Sequence, residues 1–203
     1  MSNDIVYEVV DGIAQTKIYG VMGLLNYYDC QVIMNHAKYL NSDSKYLEIG
    51  SYLGGSTLLV AKNSNATIWA HDIWLEPRAD LPNAGPAGPM EHMFYRFYDA
   101  VKNHNLQNRI IPIRGDSAYT VGIHDPESFD LAFIDGDHTH EGALKDFRNV
   151  YPLMKNGGVI LAHDCKRGEG AFTALLEFAK ETNVVFEIIP NTNGLARIIV
   201  NRE

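Results

Sequence analysis

Basic residues are scarce in this chain: 17 lysines and arginines stand against 25 aspartates and glutamates, a formal net charge of −8. No basic run is present to neutralise phosphates, which argues against a nucleic-acid partner. Cysteine is nearly absent. Cys30 and Cys165 are too few for a disulfide framework, and they point to a reducing, cytoplasmic setting. Long apolar runs are missing as well, so no membrane span is expected. Residues 1–10 contain acids but no apolar h-region, so no signal peptide is expected. There is no internal repeat and no low-complexity tail. What remains is a globular composition, 46% hydrophobic and 21% charged over 203 residues, enough for one domain, 1–203, with a full core.

The most informative stretch is 46–57, Tyr-Leu-Glu-Ile-Gly-Ser-Tyr-Leu-Gly-Gly-Ser-Thr. A short apolar strand ends at Glu48. A turn with Gly50, Gly54 and Gly55 follows, and Ser56 and Thr57 open a helical apolar run. Strand, glycine turn and helix start together make a nucleotide-type ligand site, because glycine lets backbone approach a ligand and the helix start offers free N–H groups. The G-x-G-x-x-G spacing of dinucleotide sites is not met. Glu48 at the turn would repel a pyrophosphate but suits a cationic ligand or a hydroxyl. S-adenosylmethionine, with its ammonium, sulfonium and carboxylate, fits that charge pattern better. An ordinary βα turn with glycines for tight packing is the plainer explanation.

Residues 5–14 and 19–40 have helix-like apolar spacing, so 1–44 is expected to hold N-terminal helices. They could cover a sheet, line a substrate mouth or pair with a second subunit in a homodimer. Strands are expected at 67–71, 109–113, 129–134 and 159–162, with helices at 94–103, 141–154 and 172–181. Residues 75–93, with four prolines at Pro77, Pro82, Pro86 and Pro89, are too proline-rich for an element and read as a lid-like insertion. The runs 184–189 and 195–200 flank Asn191-Thr192-Asn193-Gly194, a hairpin signal. Strands alternating with helices imply a doubly wound, mostly parallel α/β sheet, and the hairpin adds an antiparallel edge.

Polar residues collect at the end of each expected strand: Glu48, Asp72, Asp116, Asp135, Asp137, His138, His163 and Asp164. In open α/β sheets ligands bind outside the carboxyl ends of the strands. Each residue alone has an ordinary explanation, such as a helix N-cap for Asp116 or Asp137. Their recurrence at one rim does not. Asp72 can accept from ribose hydroxyls. Asp116 and Ser117 could meet an adenine. Asp135 and Asp164 suit a hard cation such as Mg²⁺. Asp137, His138 and His163 are candidates to remove a proton.

With these motifs the chain resembles the class I S-adenosylmethionine-dependent methyltransferases. The pieces are 47–57 above, Phe-Ile-Asp-Gly-Asp-His-Thr-His-Glu at 133–141, and Leu-Met-Lys-Asn-Gly-Gly-Val-Ile-Leu-Ala-His-Asp at 153–164. The resemblance is greatest to small O-methyltransferases related to the macrocin-type sugar enzymes and cephalosporin-hydroxylase-like proteins, and more distantly to the catechol type. It implies a Rossmann-like, seven-stranded sheet with the last strand antiparallel. The cofactor-binding residues it implies are Glu48, Gly50, Ser51, Tyr52, Gly54, Ser56, Asp72, Ile73, Asp116, Ser117 and Asp135. Asp135 and Asp164 match metal carboxylates. His138 falls where the catechol type has a catalytic lysine, and Asp137 matches a base of the sugar type. Cys165 stands where a third metal ligand, Asp or Asn, is usual, and a thiolate is a poor Mg²⁺ ligand. The expectation is O-methylation of a small hydroxylated acceptor. The competing readings are a nicotinamide oxidoreductase and a non-catalytic or hydroxylase-like relative.

Overall fold

The computed structural model describes residues 5–10, 13–74 and 93–202. Its N-terminal part overturns the expectation of helices across 1–44. β1 (Ile5–Val10), β2 (Ile13–Ile18) and β3 (Val21–Gly23) form a separate three-stranded antiparallel sheet. Among the described residues of this region the one helix is α1 (Tyr27–Ala37). Ile and Val make up most of β1, and β-branched Ile and Thr make up half of β2; such stiff side chains favour a pleated surface over a helix. Turn chemistry decides the rest. The β1–β2 register joins Val10 to Ile13 across the sequence Asp11-Gly12, a hairpin dipeptide. Tyr19 and Gly20 both have positive φ, 50° and 81°, as the central residues of a type I′ turn do, and Ile18 pairs with Val21. α1 starts at a capping box in which Asn26 and Asp29 each accept from the other's backbone N–H.

After it come β4 (Lys45–Ile49), α2 (Gly55–Asn63), β5 (Thr67–Asp72), α3 (Met93–Asn103), β6 (Ile110–Arg114) and the short α4 (Ser117–Thr120). β7 (Phe129–Ile134), α5 (His140–Val150), β8 (Met154–Ala162), α6 (Gly170–Thr182), β9 (Phe186–Ile188) and β10 (Ala196–Ile199) complete the chain. Apart from Met93, which opens α3, the expected insertion at 75–93 lies outside the described residues. α5 ends earlier than expected, and β8 begins at Met154, so Asn156, Gly157 and Gly158 lie inside a strand instead of closing a helix.

The main sheet has seven strands in the order β6-β5-β4-β7-β8-β10-β9. β4 pairs in parallel with both β5 and β7, and β10 runs antiparallel to β8 and to β9. This is the doubly wound, Rossmann-like sheet with a C-terminal antiparallel hairpin. The chain winds outward from β4 in one direction and from β7 in the other. The crevice between their carboxyl ends is therefore the switch point at which such sheets bind ligands.

Alternation along β4 separates two cores. Tyr46 faces α2 with Leu58, Ile68 and Phe97, while Leu47 and Ile49 face α5 and α6 with Phe147 and Phe178. Cys30 and Cys165 are buried and unpaired. Among the described residues no helix is long and apolar enough to cross a membrane.

Candidate functional site

The first βα turn brings backbone to backbone. Gly50 has φ 87°, and a Cβ there would overlap the Asp135 carbonyl, so only glycine permits β4 and β7 to approach at this point. The Gly50 N–H donates to the His71 carbonyl at 2.8 Å and the Asp135 N–H to the Ile49 carbonyl at 2.9 Å. Gly54 caps α2 in the left-handed conformation, and a Cβ there would press on the Phe97 ring at 3.1 Å.

A cavity of about 630 Å³ opens at the carboxyl ends of β4, β5, β7 and β8. Gly50, Ser51, Tyr52, Ser56, Asp72 and Ile73 line one side of it. Asp116 and Ser117 line a second, and Asp135, Asp137, His138, His163 and Asp164 the polar end. A larger hollow of about 930 Å³ lies by Val185, Phe186 and Ile199 at the hairpin edge, where Glu187 and Arg197 pair, but the groups at the strand carboxyl ends are in the smaller cavity.

Two expected cofactor contacts do not line it. Glu48 is fully buried on the α2 face of β4, where Thr57 Oγ1 donates to its carboxylate at 2.7 Å and Ser56 Oγ donates to the other oxygen. Burial pushes its carboxyl up to about 7 against the pull of those two hydroxyls. Strand pleat turns Glu48 away from the cavity, so it fastens α2 to β4. Gly54 likewise packs on Phe97 rather than facing the cavity.

Asp72 accepts from the Tyr52 N–H at 2.7 Å and the Trp74 N–H at 2.6 Å, and burial raises its carboxyl above the usual range. It thus holds the glycine turn and the exit of β5 while facing the cavity. Ser51 Oγ is buried with no hydrogen-bond partner, a polar atom for a ligand to satisfy. Asp116 is an N-cap, accepting from the Ala118 N–H at 2.8 Å. Ser117 Oγ donates to Asp146 Oδ1 at 2.6 Å. Asp146, on α5, was not singled out by its sequence position. It is buried, and desolvation pushes its carboxyl up to about 6. Asp137 accepts from the Thr139 N–H at 2.8 Å, an ordinary turn contact.

The polar end gathers the titratable side chains. His138, more than half exposed, lies with Nδ1 2.9 Å from Asp164 Oδ2. That hydrogen bond raises the His138 ring above its usual range, with burial pulling the other way. Burial pushes Asp164 up, but contacts with His138 and His163 outweigh it and hold its carboxyl below the usual range. His163 differs from the expected base. Its side chain is only 3% exposed, with Nε2 3.2 Å from Asp29 Oδ2. Nδ1 lies 3.4 Å from both Asp135 Oδ1 and Asp164 Oδ2, without the alignment of a hydrogen bond. Burial opposes a charge on this ring, yet Asp135, Asp164 and Asp29 outweigh it and raise the ring well above its usual range. A ring so enclosed, with Nε2 already on Asp29, is poorly placed to take a proton from an acceptor. Cys165 Sγ points to the His163 carbonyl at 3.5 Å, and burial pushes its thiol up to about 12. It is not among the groups that converge at the polar end. Asp135, His138 and Asp164 instead bring three ligand atoms within 4.8 Å of one another. Asp29 and Asn193, which complete the cluster, carry no motif that would have marked them.

Comparison with known proteins bears on this geometry. A family model described as a methyltransferase domain matches residues 47–165. The chain belongs to that methyltransferase-domain family. Within it, the chain is 27% identical over 128 residues to an uncharacterized protein of Acanthamoeba polyphaga mimivirus, and it spans about half of that relative, 52%, and 60% of itself. The SAH-bound methyltransferase PaMTH1 of Podospora anserina superposes with a TM-score of 0.63 at 18% identity, covering 87% of this chain and 80% of its own. An O-methyltransferase of Bacillus cereus in complex with SAH gives 0.62 at 16% identity, with 86% and 81% covered. These likenesses establish the class I fold of this methyltransferase-family domain.

Proposed function

We propose that the chain is an S-adenosylmethionine-dependent methyltransferase that methylates a hydroxyl of a small acceptor. Membership of the methyltransferase-domain family supports the class of activity, and the SAH carried by the two solved structures supports the cofactor. A nicotinamide reading has no such support and lacks the glycine spacing.

The cavity fits the cofactor on its own terms. The close-packed turn at Gly50 and the orphaned Ser51 hydroxyl would receive the amino-acid end. Asp72 keeps lone pairs for hydroxyl donors beyond its two backbone bonds, and Asp116 and Ser117 line the same cavity. When bound, S-adenosylmethionine supplies an electrophilic methyl group.

The observation that carries O-methylation is the His138–Asp164 pair at the cavity's polar end. An alcohol is almost wholly protonated near neutral pH, so its oxygen needs a base. With Nδ1 engaged by Asp164, the His138 ring has Nε2 left to take the hydroxyl proton. Asp164 orients the ring and stabilises the imidazolium that forms. A second reading has its own support. Asp135, His138 and Asp164 also converge closely enough to hold a divalent cation, which would lower the hydroxyl's pKa. His138 would then be a ligand, in place of Cys165.

The test is a screen of hydroxylated acceptors with labelled S-adenosylmethionine, run with added Mg²⁺ and with chelator, alongside calorimetry of cofactor binding. Turnover that survives chelator but falls in His138→Ala supports the base. Turnover abolished by chelator supports the cation. Cofactor binding with no turnover on any acceptor supports a non-catalytic relative. No cofactor binding sinks the proposal.

A further inference from the structure

Asp29 stands 134 residues before His163 in the chain and touches it in the fold. It precedes the span matched by the family model, residues 47–165. The acid is fully buried on the first turn of α1. Its Oδ2 accepts from the Asn26 N–H at 2.8 Å and meets His163 Nε2 at 3.2 Å. Its Oδ1 accepts from the Asn193 N–H at 2.9 Å. One carboxylate thus ties the start of α1, the turn before β10 and the end of β8.

A capping box explains the first of these contacts and does not require burial. A buried carboxylate is costly unless it is paired, and the pairing here is with a ring that lines the cavity. The other nitrogen of that ring is itself buried, has no hydrogen-bond partner, and sits 3.4 Å from both Asp135 and Asp164. An imidazole can flip about its Cβ–Cγ bond and exchange the sides its nitrogens face. A bond from Nε2 to a fixed acid removes that freedom.

We infer that Asp29 is a positioning residue: by accepting from Nε2 it holds the His163 ring so that Nδ1 stays between Asp135 and Asp164, keeping the two carboxylates together at the cavity floor. Asn193 reinforces the arrangement, since its backbone binds Asp29 and its amide lies 3.4 Å from Asp164 Oδ1. The inference rests on the proposed function only in that the two carboxylates are the groups put to use. It makes α1 part of the site, although no catalytic motif lies on it.

The test is ring ¹⁵N–¹H spectroscopy of the full chain labelled at histidine, without ligand. In the wild type, His163 should show a slowly exchanging Nε2–H. Asp29→Asn should shift or lose that signal. It should also move the His138 ring signals, because both rings contact Asp164. Asp130→Asn, at the far end of β7, should alter neither. The cofactor Kd of Asp29→Asn should stay near wild type, and its melting temperature should fall, because a buried pair loses one of its charges. Turnover on the best acceptor of the screen should fall roughly 10- to 100-fold, the usual cost of removing a partner that orients an active group. A His163 Nε2 without a proton in the wild type overturns the inference, even if Asp29→Asn fails to fold. Unchanged His138 signals in a folded Asp29→Asn overturn it too. Failure of the wild type to bind S-adenosylmethionine would sink the functional proposal and leave the ring spectra to judge Asp29 separately.

Discussion

Two buried histidines lie at the ends of different strands of the sheet and behave in opposite ways. His163 closes β8 among Asp29, Asp135 and Asp164, and its ring is raised well above the usual range. His71, near the end of β5, is as deeply buried. Its Nδ1 lies 3.0 Å from Thr120 Oγ1 and its Nε2 2.9 Å from His124 Nε2. Desolvation, helped by His124, drives its ring down to about 3. Burial alone opposes the charge at both sites. Carboxylates reverse the outcome at one, and a second imidazole reinforces it at the other. The end of β8 is thereby built to hold charge, and the surroundings of His71 to exclude it.

The largest expected effect is on turnover at the charged rim. His138→Ala should lower it roughly 10²–10⁴-fold, as loss of a general base does, with cofactor affinity close to wild type. Single-turnover measurements with labelled cofactor and the best acceptor would check this. Full activity would move the proton to Asp137. Next comes stability. His163→Leu strands three carboxylates in and around a buried site, and urea unfolding should show a loss of about 3–5 kcal/mol, the usual result of breaking a buried pair. His71→Leu removes a neutral ring and leaves only Thr120 and His124 short of a partner, so the same measurement should give a smaller loss of about 1–3 kcal/mol. Equal losses would break the contrast.

The contrast also has a pH signature. The His163 ring is raised in the fold, so its contribution is complete below about 6.5, its unfolded value, and is lost as pH rises above that. The His71 ring is depressed to about 3, so its contribution is complete above about 6.5 and is lost as pH falls toward 3. The stability gap between wild type and His163→Leu should therefore narrow on the alkaline side. The gap for His71→Leu should narrow on the acid side. Urea unfolding from pH 4 to 9 would show both slopes, and parallel slopes would refute the assignment. An effect of similar size to that of His71→Leu is expected from the next residue, Asp72, which lines the cavity. Asp72→Ala should weaken binding of S-adenosylmethionine roughly 10- to 100-fold by calorimetry, at 1.5–3 kcal/mol for a hydrogen bond to a charged group.

Much of the main sheet was legible because its signals are local. Apolar runs of strand length, each closed by a polar residue and followed by a helical pattern, yielded the parallel strands, and Asn193-Gly194 marked the hairpin. The N-terminal segment misled because Ile and Val can satisfy two periodicities at once. Asp11-Gly12 and Tyr19-Gly20 carry the turn signals, which apolar spacing alone does not contain.

By itself the sequence determined the fold class, the rim of the sheet on which chemistry would gather, and the glycine at position 50. Each of these follows from a neighbour within a few residues or from the fixed handedness of strand–helix–strand connections. Tertiary structure alone decided the uses of the polar residues. Pleat turned Glu48 toward α2, burial enclosed His163, and the placement of α1 brought Asp29 to it from the other end of the chain. Charge state and orientation depend on distances of a few ångströms between groups far apart in sequence, and a list of residue types does not contain those distances.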